Sequence, residues 1–414
     1  MTMGRAVLMI AFHFPPAAMS SGHLRTLAFA RYLPDSGWDP IVLSARALAY
    51  PQTAPVRPDT IPDGCVVRRT FALDAKRHFA IAGKYPGFLA VPDRWSSWWP
   101  AAVLQGMHLI RRHRVQAIWS TYPIMTAHCV AHSLHCITGL PWIADFRDPV
   151  ASSEGLTHRS AVSRQHWESK ALRVASRSVF TTPGTLHDYA ERFPALYAAR
   201  RLAVIENGYD ERAFTDLPTP ASRQPGHPLV LVHSGLLYPR GRNPVPFLTA
   251  LAELRNSKAI DPDGVRVILR ASRLEKEYAH EIQRLGLEKV VFLPPPISYR
   301  DALIEQAAAD ALLLFQGSEF DRQIPAKLYE YLRIGRPIFA LVGDQGDTAN
   351  VLRNTGGAEL APIDDVGGIT GKLGAFIRAL RDGRAPVVDP AVVKRYARDN
   401  GAMLLAEQLE QITA

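Results

Sequence analysis

The chain has 414 residues, of which 47% are hydrophobic and 21% are charged. These fractions are typical of globular proteins and exclude a disordered chain, a collagen-like chain and a small disulfide scaffold. Lysine and arginine (48) exceed aspartate and glutamate (39), which gives a formal net charge of +9. This excess suits anionic ligands such as nucleotides or acidic lipid headgroups, and no nucleic-acid partner is predicted.

The cysteines and the apolar runs bear on the compartment. Cys65, Cys129 and Cys136 are too few for a disulfide framework, which favours a reducing environment. The apolar run 6–12 after Arg5 is similar to a short signal peptide, but two prolines follow it, and a buried first strand is predicted instead. No stretch reaches the ~18 consecutive apolar residues of a spanning helix. We expect a cytoplasmic protein, with contact at the inner face of the membrane left open.

In the first half of the chain, short apolar runs alternate with amphipathic stretches, which predicts βαβ units and a parallel sheet. The predicted strands are Val7–Phe12, Ile41–Leu43, Ala117–Ser120, Trp142–Ala144, Ser178–Thr181 and Leu202–Ile205. The predicted helices are His23–Leu33, Ala101–His113, Ile124–Thr138 and Ser160–Ala175. The proline-rich stretch 216–228 predicts a linker.

After the linker the alternation restarts. The predicted strands are Leu229–His233, Val265–Arg270, Val290–Leu293, Ala311–Phe315 and Pro337–Leu341, with a helix over Val245–Arg255 after the first of them. The predicted architecture is α/β, with two Rossmann-like doubly wound parallel-sheet domains facing a cleft. The domains span 1–215 and 229–389, and closing helices over 390–414 pack back towards the first domain.

The segment 315–331 carries the strongest chemical signal. A strand ends near Phe315, and Pro325 stands where a helix begins, since proline is favoured at the first helical position. The amides of that first turn form an anion site, to which Lys327 adds a full positive charge. Glu330 shares a helix face with Lys327 and can accept hydrogen bonds from two vicinal hydroxyls. The alternative is a plain helix start with a surface Lys–Glu pair.

Two glycine-containing loops add further candidates. In the loop 233–244, Arg240 and Arg242 flank a glycine just before a helix, and guanidinium groups bind phosphate in a bidentate manner. Convergence of both with Lys327 would match a diphosphate, whereas a solvated basic loop is the alternative. In the first half, Gly22 and the helix behind it offer backbone donors, but no G-x-G-x-x-G fingerprint is present.

The segment 145–149 follows the predicted strand Trp142–Ala144 directly. Asp145, Arg147 and Asp148 would then lie at the carboxyl edge of the first sheet. This position suits a functional role, but an arginine between two carboxylates is as often a structural ion pair.

Two other patterns have a structural and a functional interpretation. His128, His132 and Cys136 share one helix face as metal ligands do, but no H-E-x-x-H glutamate accompanies them, and no metal is predicted. The indoles of the stretch 95–99 precede an apolar helix with the basic end 110–114. This combination suits a membrane interface, although a crossover helix with a solvated basic end is favoured.

Five segments in this order resemble the GT-B-fold glycosyltransferases of the large retaining family 4. They are Phe14-Pro-Pro with Ser21-Gly-His-Leu-Arg25, Asp145-Phe-Arg-Asp-Pro149, Ile205-Glu-Asn-Gly-Tyr-Asp210 with Phe214, the loop Gly235–Arg242, and Pro325-Ala-Lys-Leu-Tyr-Glu330. The resemblance covers nearly the whole chain. It implies a nucleotide-sugar donor in the C-terminal domain and a glycan, lipid-linked or polysaccharide acceptor in the N-terminal one.

The resemblance also implies residue roles. Arg240 or Arg242 with Lys327 would neutralise the donor diphosphate, and Glu330 would hold the ribose. The implied donor-binding residues are Gly235, Arg240, Arg242, Ile324, Pro325, Ala326, Lys327 and Glu330, and the implied catalytic residues are Gly22, Arg147 and Asp148. Stabilisation of the leaving phosphate by positive charge would replace a dedicated base, so that neither a metal nor a cofactor is expected.

The sequence departs from the family at one position. Many members have two glutamates in an E-x7-E spacing, and Arg322 stands where the first of them would be. We interpret this departure as variation rather than inactivation, and it leaves the contact to the donor sugar hydroxyls unassigned. The alternatives to a transferase are a nucleotide-sugar epimerase on the same fold and a non-catalytic partner in polysaccharide assembly.

Overall fold

The computed structural model of the protein describes residues 4–17, 22–56, 60–81, 84–150, 158–217 and 226–414. The chain divides into two units. The N-terminal unit runs to Asn207 and includes Arg398–Ala414, and the C-terminal unit is Gly208–Ala397. None of the helices in the described ranges has the length and apolar character needed to cross a bilayer.

The N-terminal unit is built on a parallel sheet of described strands with helices between them. The strands are β1 (Arg5–Ile10), β2 (Trp38–Ala45), β3 (Val66–Thr70), β4 (Val115–Thr121), β5 (Trp142–Phe146), β6 (Arg177–Phe180) and β7 (Leu202–Val204). The helices are α1 (Gly22–Tyr32), α2 (Ala75–His78), α3 (Trp98–His113), α4 (Met125–Thr138), α5 (His158–Val174), α6 (Pro183–Arg192) and α7 (Pro194–Ala198). The seven strands follow the order β3-β2-β1-β4-β5-β6-β7.

The C-terminal unit repeats this plan with six strands. They are β8 (Leu229–Ser234), β9 (Val265–Arg270), β10 (Val291–Phe292), β11 (Ala311–Gln316), β12 (Ile338–Val342) and β13 (Ala358–Pro362), in the order β10-β9-β8-β11-β12-β13. The helices are α8 (Val245–Asn256), α9 (Glu275–Arg284), α10 (Tyr299–Ala308), α11 (Ala326–Ile334), α12 (Asp347–Thr355), α13 (Val366–Arg381) and α14 (Pro390–Val393). The last helix of the chain, α15 (Arg398–Thr413), belongs to the N-terminal unit.

The central strands are mostly apolar because helices cover both faces of each sheet. Leu8 of β1 lies opposite Ile41 of β2 and Ile118 of β4 in parallel register. In the C-terminal unit, every residue of β11 is buried. Leu405 and Leu409 of α15 join the core on one face of the N-terminal sheet.

The structure divides the chain earlier than the sequence-based boundary at 215. Tyr209 donates a backbone hydrogen bond to the carbonyl of Tyr396 (3.1 Å), and Tyr209 and Phe214 lie in a core of the C-terminal unit. The segment after Asn207 therefore packs with the second unit rather than closing the first. Of the proposed linker 216–228, residues 218–225 lie outside the described part of the chain.

The structure contains the predicted strands, with shifts at their ends, and two strands that were not predicted, β3 and β13. Both are edge strands with partly exposed residues. Their sequences, Val-Val-Arg-Arg-Thr and Ala-Glu-Leu-Ala-Pro, lack the continuous apolar run of a buried parallel strand, which is why they were missed.

Candidate functional site

In the C-terminal unit the strand order reverses between β8 and β11. Ligands of doubly wound sheets bind outside the carboxyl ends of the strands at such a reversal. Ser234 ends β8 and Gln316 ends β11. The predicted donor-binding residues lie in the loops that follow these two residues and in the helix α11 after the second loop, so the candidate site is at this edge of the sheet.

Lys327 in the first turn of α11 meets the end of β8. Its Nζ lies 3.4 Å from Nε2 of His233. His233 is fully buried, and its Nδ1 lies 2.9 Å from the carbonyl oxygen of Leu313. Since that carbonyl only accepts, Nδ1 of His233 donates, and Nε2 of the neutral ring is left to accept from Lys327. Burial keeps the pKa of His233 well below its ordinary value, with a further contribution from Lys327.

Gly235 allows this close approach. It has φ +120°, and a Cβ atom at this position would stand 2.7 Å from Nζ of Lys327. Burial, and then the charge of Arg242, lower the pKa of Lys327 from 10.5 to about 7. A nearby anion favours the charged form of such a lysine, which is the behaviour expected at a phosphate site.

The two predicted arginines behave differently. Arg242 donates from Nε to Oε1 of buried Gln316 (3.0 Å) and from Nη1 to the hydroxyl of Tyr238 (3.2 Å). Its guanidinium is thus fixed at the carboxyl end of β11, where its charge acts on Lys327. The side chain of Arg240 is 76% exposed and lies 3.8 Å from the carboxylate of Glu319. Arg240 is thus exposed beside Glu319, and its convergence with Lys327 on a diphosphate stays a prediction.

The start of α11 also differs in detail from the prediction. Pro325 is the N-cap residue rather than the first helical one, and α11 begins at Ala326 without a side-chain cap. The amides of the first turn, including those of Ala326 and Lys327, thus lie at the helix end where anions bind. Ile324 is 8% exposed and packs in the apolar core, so that only its backbone can face a ligand.

Glu330 lies one turn further along α11. Its Oε1 accepts a hydrogen bond from the hydroxyl of Tyr299 (2.7 Å), the first residue of α10. The contact fixes the orientation of the carboxylate. Lys327 and Glu330 are thus more than a simple surface pair, since the first contacts His233 and the second accepts from Tyr299.

The N-terminal unit has a second candidate region at the carboxyl ends of β1, β4 and β5. Arg147 donates from Nε to the carbonyl of Tyr122 (2.6 Å) and from Nη1 to the carbonyl of Gly22 (2.5 Å). Gly22, Arg147 and His13 line one small cavity. Burial, followed by the charge of Arg147, lowers the pKa of His13 from 6.5 to about 4. Asp148 is exposed beside this cavity-lining arginine.

Asp145 belongs to a buried ion pair. Its carboxylate accepts from Nε of Arg25 (2.8 Å), and both side chains are buried. Arg25 also donates to the carbonyls of Ile205 (2.9 Å) and Glu206 (3.0 Å). We expected Arg147 to pair with a carboxylate of the segment 145–148. Instead Arg25 pairs with Asp145, and Arg147 donates to backbone carbonyls.

His128, His132 and Cys136 do not form a cluster of ligands on the described chain. His128 is fully buried, and its Nδ1 lies 2.7 Å from the hydroxyl of Ser120. Burial lowers the pKa of its ring from 6.5 to about 3. Nε2 of His132 lies 3.7 Å from Sγ of Cys136, one turn further along the same face of α4. The arrangement is that of a helix packed on a sheet.

The indoles of the stretch 95–99 lie inside the N-terminal unit. Trp95 and Trp98 are buried, and Nε1 of Trp98 donates to the hydroxyl of Thr70 (2.8 Å). Trp99 is partly buried and donates to Ser133 (3.0 Å). These contacts agree with the favoured interpretation of a packed crossover helix, since they bury Trp95 and Trp98, which the alternative of a membrane interface would expose.

The sequence matches no protein-family model and none of the curated proteins. Solved structures share its fold. Sucrose-phosphate synthase from Thermosynechococcus elongatus superposes with a TM-score of 0.64 at 15% identity, over 98% of each chain. HepE from Anabaena, in complex with UDP and glucose, superposes with a TM-score of 0.65 at 16% identity, over 98% of this chain and 100% of that one. The chain has the GT-B fold.

The GT-B fold is shared by enzymes of more than one class. A UDP-N-acetylglucosamine 2-epimerase superposes with a TM-score of 0.53 at 12% identity, over 98% of this chain and 96% of that one. The predicted fold class, two Rossmann-like parallel-sheet domains of the GT-B type, is confirmed. The assignment to family 4 stays a prediction from the sequence motifs.

Several residues at the site escaped the sequence analysis. His233, Gln316, Tyr238 and Tyr299 all hold the predicted residues in place. Two of them carry a local signal, since His233 and Gln316 are polar residues at the ends of apolar strands. Tyr238 and Tyr299 carry none, because the contacts that define their role are made across separate segments of the chain.

Proposed function

We propose that the protein is a glycosyltransferase that moves a sugar from a nucleotide-diphosphate sugar to a glycan, lipid-linked or polysaccharide acceptor, with retention at the transferred carbon. The observation that carries the proposal is the presence of two cationic side chains, Arg242 and Lys327, at the carboxyl ends of β8 and β11, beside the start of α11. The GT-B fold and the structural likeness to HepE, which was solved with UDP and glucose, support it.

The chemistry follows from the charges. The diphosphate of a nucleotide sugar carries two negative charges. When the bond to the sugar breaks, the electron pair stays on the leaving oxygen and adds a third, and fixed cations beside that oxygen lower the barrier. Arg242 is preorganised by Gln316, and Lys327 by His233, so that little reorganisation is needed when charge develops. Glu330, oriented by Tyr299, would accept hydrogen bonds from the two ribose hydroxyls. Gly235 would let the diphosphate approach the backbone closely.

In the N-terminal unit, Gly22, Arg147 and Asp148 are the proposed contacts to the transferred sugar. Arg147 is fixed by two backbone carbonyls, and His13 beside it stays neutral near pH 7. A neutral imidazole accepts a hydrogen bond from a sugar or acceptor hydroxyl without adding charge. No metal ion or resident cofactor takes part in the proposal, and a cytoplasmic location at the inner face of the membrane is part of it.

The first experiment is a thermal-shift panel with uridine, guanosine and thymidine diphosphate sugars. A bound donor stabilises the folded protein by mass action, so the correct one raises the melting temperature. Lys327→Met removes that shift, whereas Arg240→Ala, on an exposed side chain, retains it. The absence of a shift with every donor, or an undiminished shift in Lys327→Met, would contradict the proposal.

An epimerase on the same fold makes a different prediction. Such an enzyme inverts a sugar carbon without any acceptor and needs general acid and base groups at the sugar. Analysis of the products after incubation with donor alone distinguishes the two functions, since an epimerised nucleotide sugar appears only in the second case. A non-catalytic assembly partner would show neither product and would tolerate Lys327→Ala without loss of function in the cell.

A further inference from the structure

The loop between β11 and α11 is anchored near its centre. The amide of Asp347 donates to the carbonyl of Asp321 (2.7 Å), and the hydroxyl of Thr348 donates to the carbonyl of Gln323 (3.0 Å). Arg322 stands between these two anchored residues. Its backbone therefore has a fixed position at the carboxyl edge of the C-terminal sheet, next to the candidate donor site.

The chemical order of a donor relates this loop to the transferred sugar. In a nucleotide sugar, the ribose and the sugar are attached to opposite ends of the diphosphate. In the proposed function Glu330 holds the ribose and Lys327 the diphosphate, and these two residues are separated by about 4.5 Å along the axis of α11. The sugar then lies beyond the first turn of α11, on the side of the loop that contains Arg322.

The two acidic side chains of the loop contact neighbouring segments. Oε1 of Glu319 lies 3.8 Å from Nε of Arg240. Asp321 packs against the loop after β12, where a Cβ atom at Gly346 would stand 2.5 Å from its Oδ1. Arg322, by contrast, is exposed. The loop therefore presents a cation rather than a carboxylate on the side of the sugar.

A guanidinium group and a carboxylate recognise different sugars. Sugar hydroxyls both donate and accept hydrogen bonds, whereas a guanidinium only donates. Its planar fork matches a carboxylate through two parallel hydrogen bonds. Arg322 is also the residue at which the sequence departs from the E-x7-E spacing, so that a cation replaces an acid there. We propose that Arg322 binds a carboxylate on the transferred sugar, and that the donor is a nucleotide-diphosphate uronic acid.

This inference rests on the proposed function, because it names the class of sugar for the same donor site. The two are tested by different quantities. Binding of any nucleotide-diphosphate sugar tests the proposed function. The inference about Arg322 concerns the ratio of the affinities for two donors that differ in one group of the sugar.

The test compares uridine diphosphate glucose with uridine diphosphate glucuronic acid, which has a carboxylate in place of the hydroxymethyl group. Calorimetric titration of the full chain at ~0.15 M salt, where long-range charge effects are screened, gives both dissociation constants. The protein should bind the uronic acid about 10- to 100-fold more tightly, as expected for a bidentate contact between charged groups. The corresponding guanosine and thymidine diphosphate sugars extend the comparison to the other bases.

Two substitutions at Arg322 and one control identify the source of this preference. Arg322→Gln removes the charge and should reduce the preference to less than about threefold. Arg322→Glu should reverse it, because a carboxylate repels the uronic acid. The matched control is Arg284→Gln, which lowers the net charge equally and should leave the preference unchanged. Arg284 is exposed in the last turn of α9, and this helix runs back from the end of β9 to the opposite edge of the sheet.

The outcomes separate this inference from the proposed function. Equal or tighter binding of the neutral sugar would overturn the inference and leave the proposed function intact. An undiminished preference in Arg322→Gln would assign the carboxylate to another group. An equal loss in Arg284→Gln would assign the preference to net charge, and either result overturns the role of Arg322. Failure to bind both sugars with every base would contradict both proposals.

Discussion

Nζ of Lys327 lies 3.4 Å from Nε2 of His233, which ties the first turn of α11 to the end of β8. The ring of His233 is held neutral by burial and presents an acceptor, because its other nitrogen donates to a backbone carbonyl. This contact orients the ammonium group at the end of β8. It also keeps Lys327 where burial lowers its pKa to about 7.

The first prediction concerns pH. A bound diphosphate favours charged Lys327, so binding takes up a proton whenever the free lysine is neutral. Affinity for a nucleotide sugar should therefore fall as the pH rises through about 7, by up to about tenfold for each pH unit. Isothermal titration calorimetry measures this, and Lys327→Arg, which stays charged, should show a flat profile. A flat profile in the parent protein would contradict the prediction.

The intact nucleotide sugar is the correct ligand for that titration. The terminal phosphate of a free nucleoside diphosphate has a pKa of about 6, which overlaps the range of interest. In a nucleotide sugar both phosphates are esterified, and this ionisation is absent.

The second prediction tests whether His233 orients Lys327 or only fills space in the core. His233→Leu keeps an apolar ring-sized volume but removes the acceptor for Lys327, so we expect about a tenfold loss of donor affinity. The midpoint of the pH profile should also move to lower pH, since the charged lysine loses a hydrogen bond. His233→Gln, whose amide oxygen can accept a hydrogen bond from Lys327, should restore both the donor affinity and the midpoint of the pH profile. If the midpoint stays where it is in His233→Leu, His233 has a packing role alone.

The third prediction distinguishes the two arginines. Arg242→Ala removes a guanidinium fixed by Gln316 and should weaken donor binding by about 10- to 100-fold, as for other charge-assisted contacts to phosphate. Arg240→Ala should change it by less than about twofold, because exposed ion pairs contribute little. Fluorescence or calorimetric titration of the two variants in parallel decides between them, and the reverse order of effects would exclude Arg242 as the phosphate ligand.

The fourth prediction uses two glycines with positive φ. In Gly235→Ala the new methyl group meets Nζ of Lys327, whereas nothing lies within 4 Å of the corresponding position at Gly335. Both alanine variants should lose about 1 kcal/mol of stability from backbone strain. Only Gly235→Ala should also weaken donor binding, since it displaces the lysine. Equal donor affinities in the two variants would show that Gly235 serves the turn and not the ligand.

The fifth prediction concerns the buried Arg25–Asp145 pair. Asp145→Asn leaves the Arg25 charge buried without its counter-ion, and the expected cost is about 3–5 kcal/mol. All seven tryptophans of the sequence lie in the N-terminal unit, so their fluorescence during urea unfolding reports on this unit. Glu191→Gln, at the exposed pair His187–Glu191, is the control and should leave the urea unfolding curve unchanged. A loss below about 1 kcal/mol in Asp145→Asn would mean that water replaces the missing charge.

The amino-acid sequence by itself determined the doubly wound architecture, because continuous apolar strands alternate with amphipathic helices in both halves, and that pattern has few solutions. It also determined the positions of Lys327 and Glu330, since the start of α11 is a local feature of a few adjacent residues. The sequence did not predict the edge strands β3 and β13, because polar residues at their partly exposed positions interrupt the apolar run.

Only the tertiary structure decided that Gln316 holds Arg242 while Arg240 is exposed, that Arg25 rather than Arg147 pairs with Asp145, and that Trp95 and Trp98 are buried. Each of these depends on contacts between segments distant in the chain, such as the 120 residues between Arg25 and Asp145. The local sequence pattern specifies which chemical groups are present at the end of a strand. The direction in which a flexible side chain points is set by its partners, and those partners come together only in the folded chain.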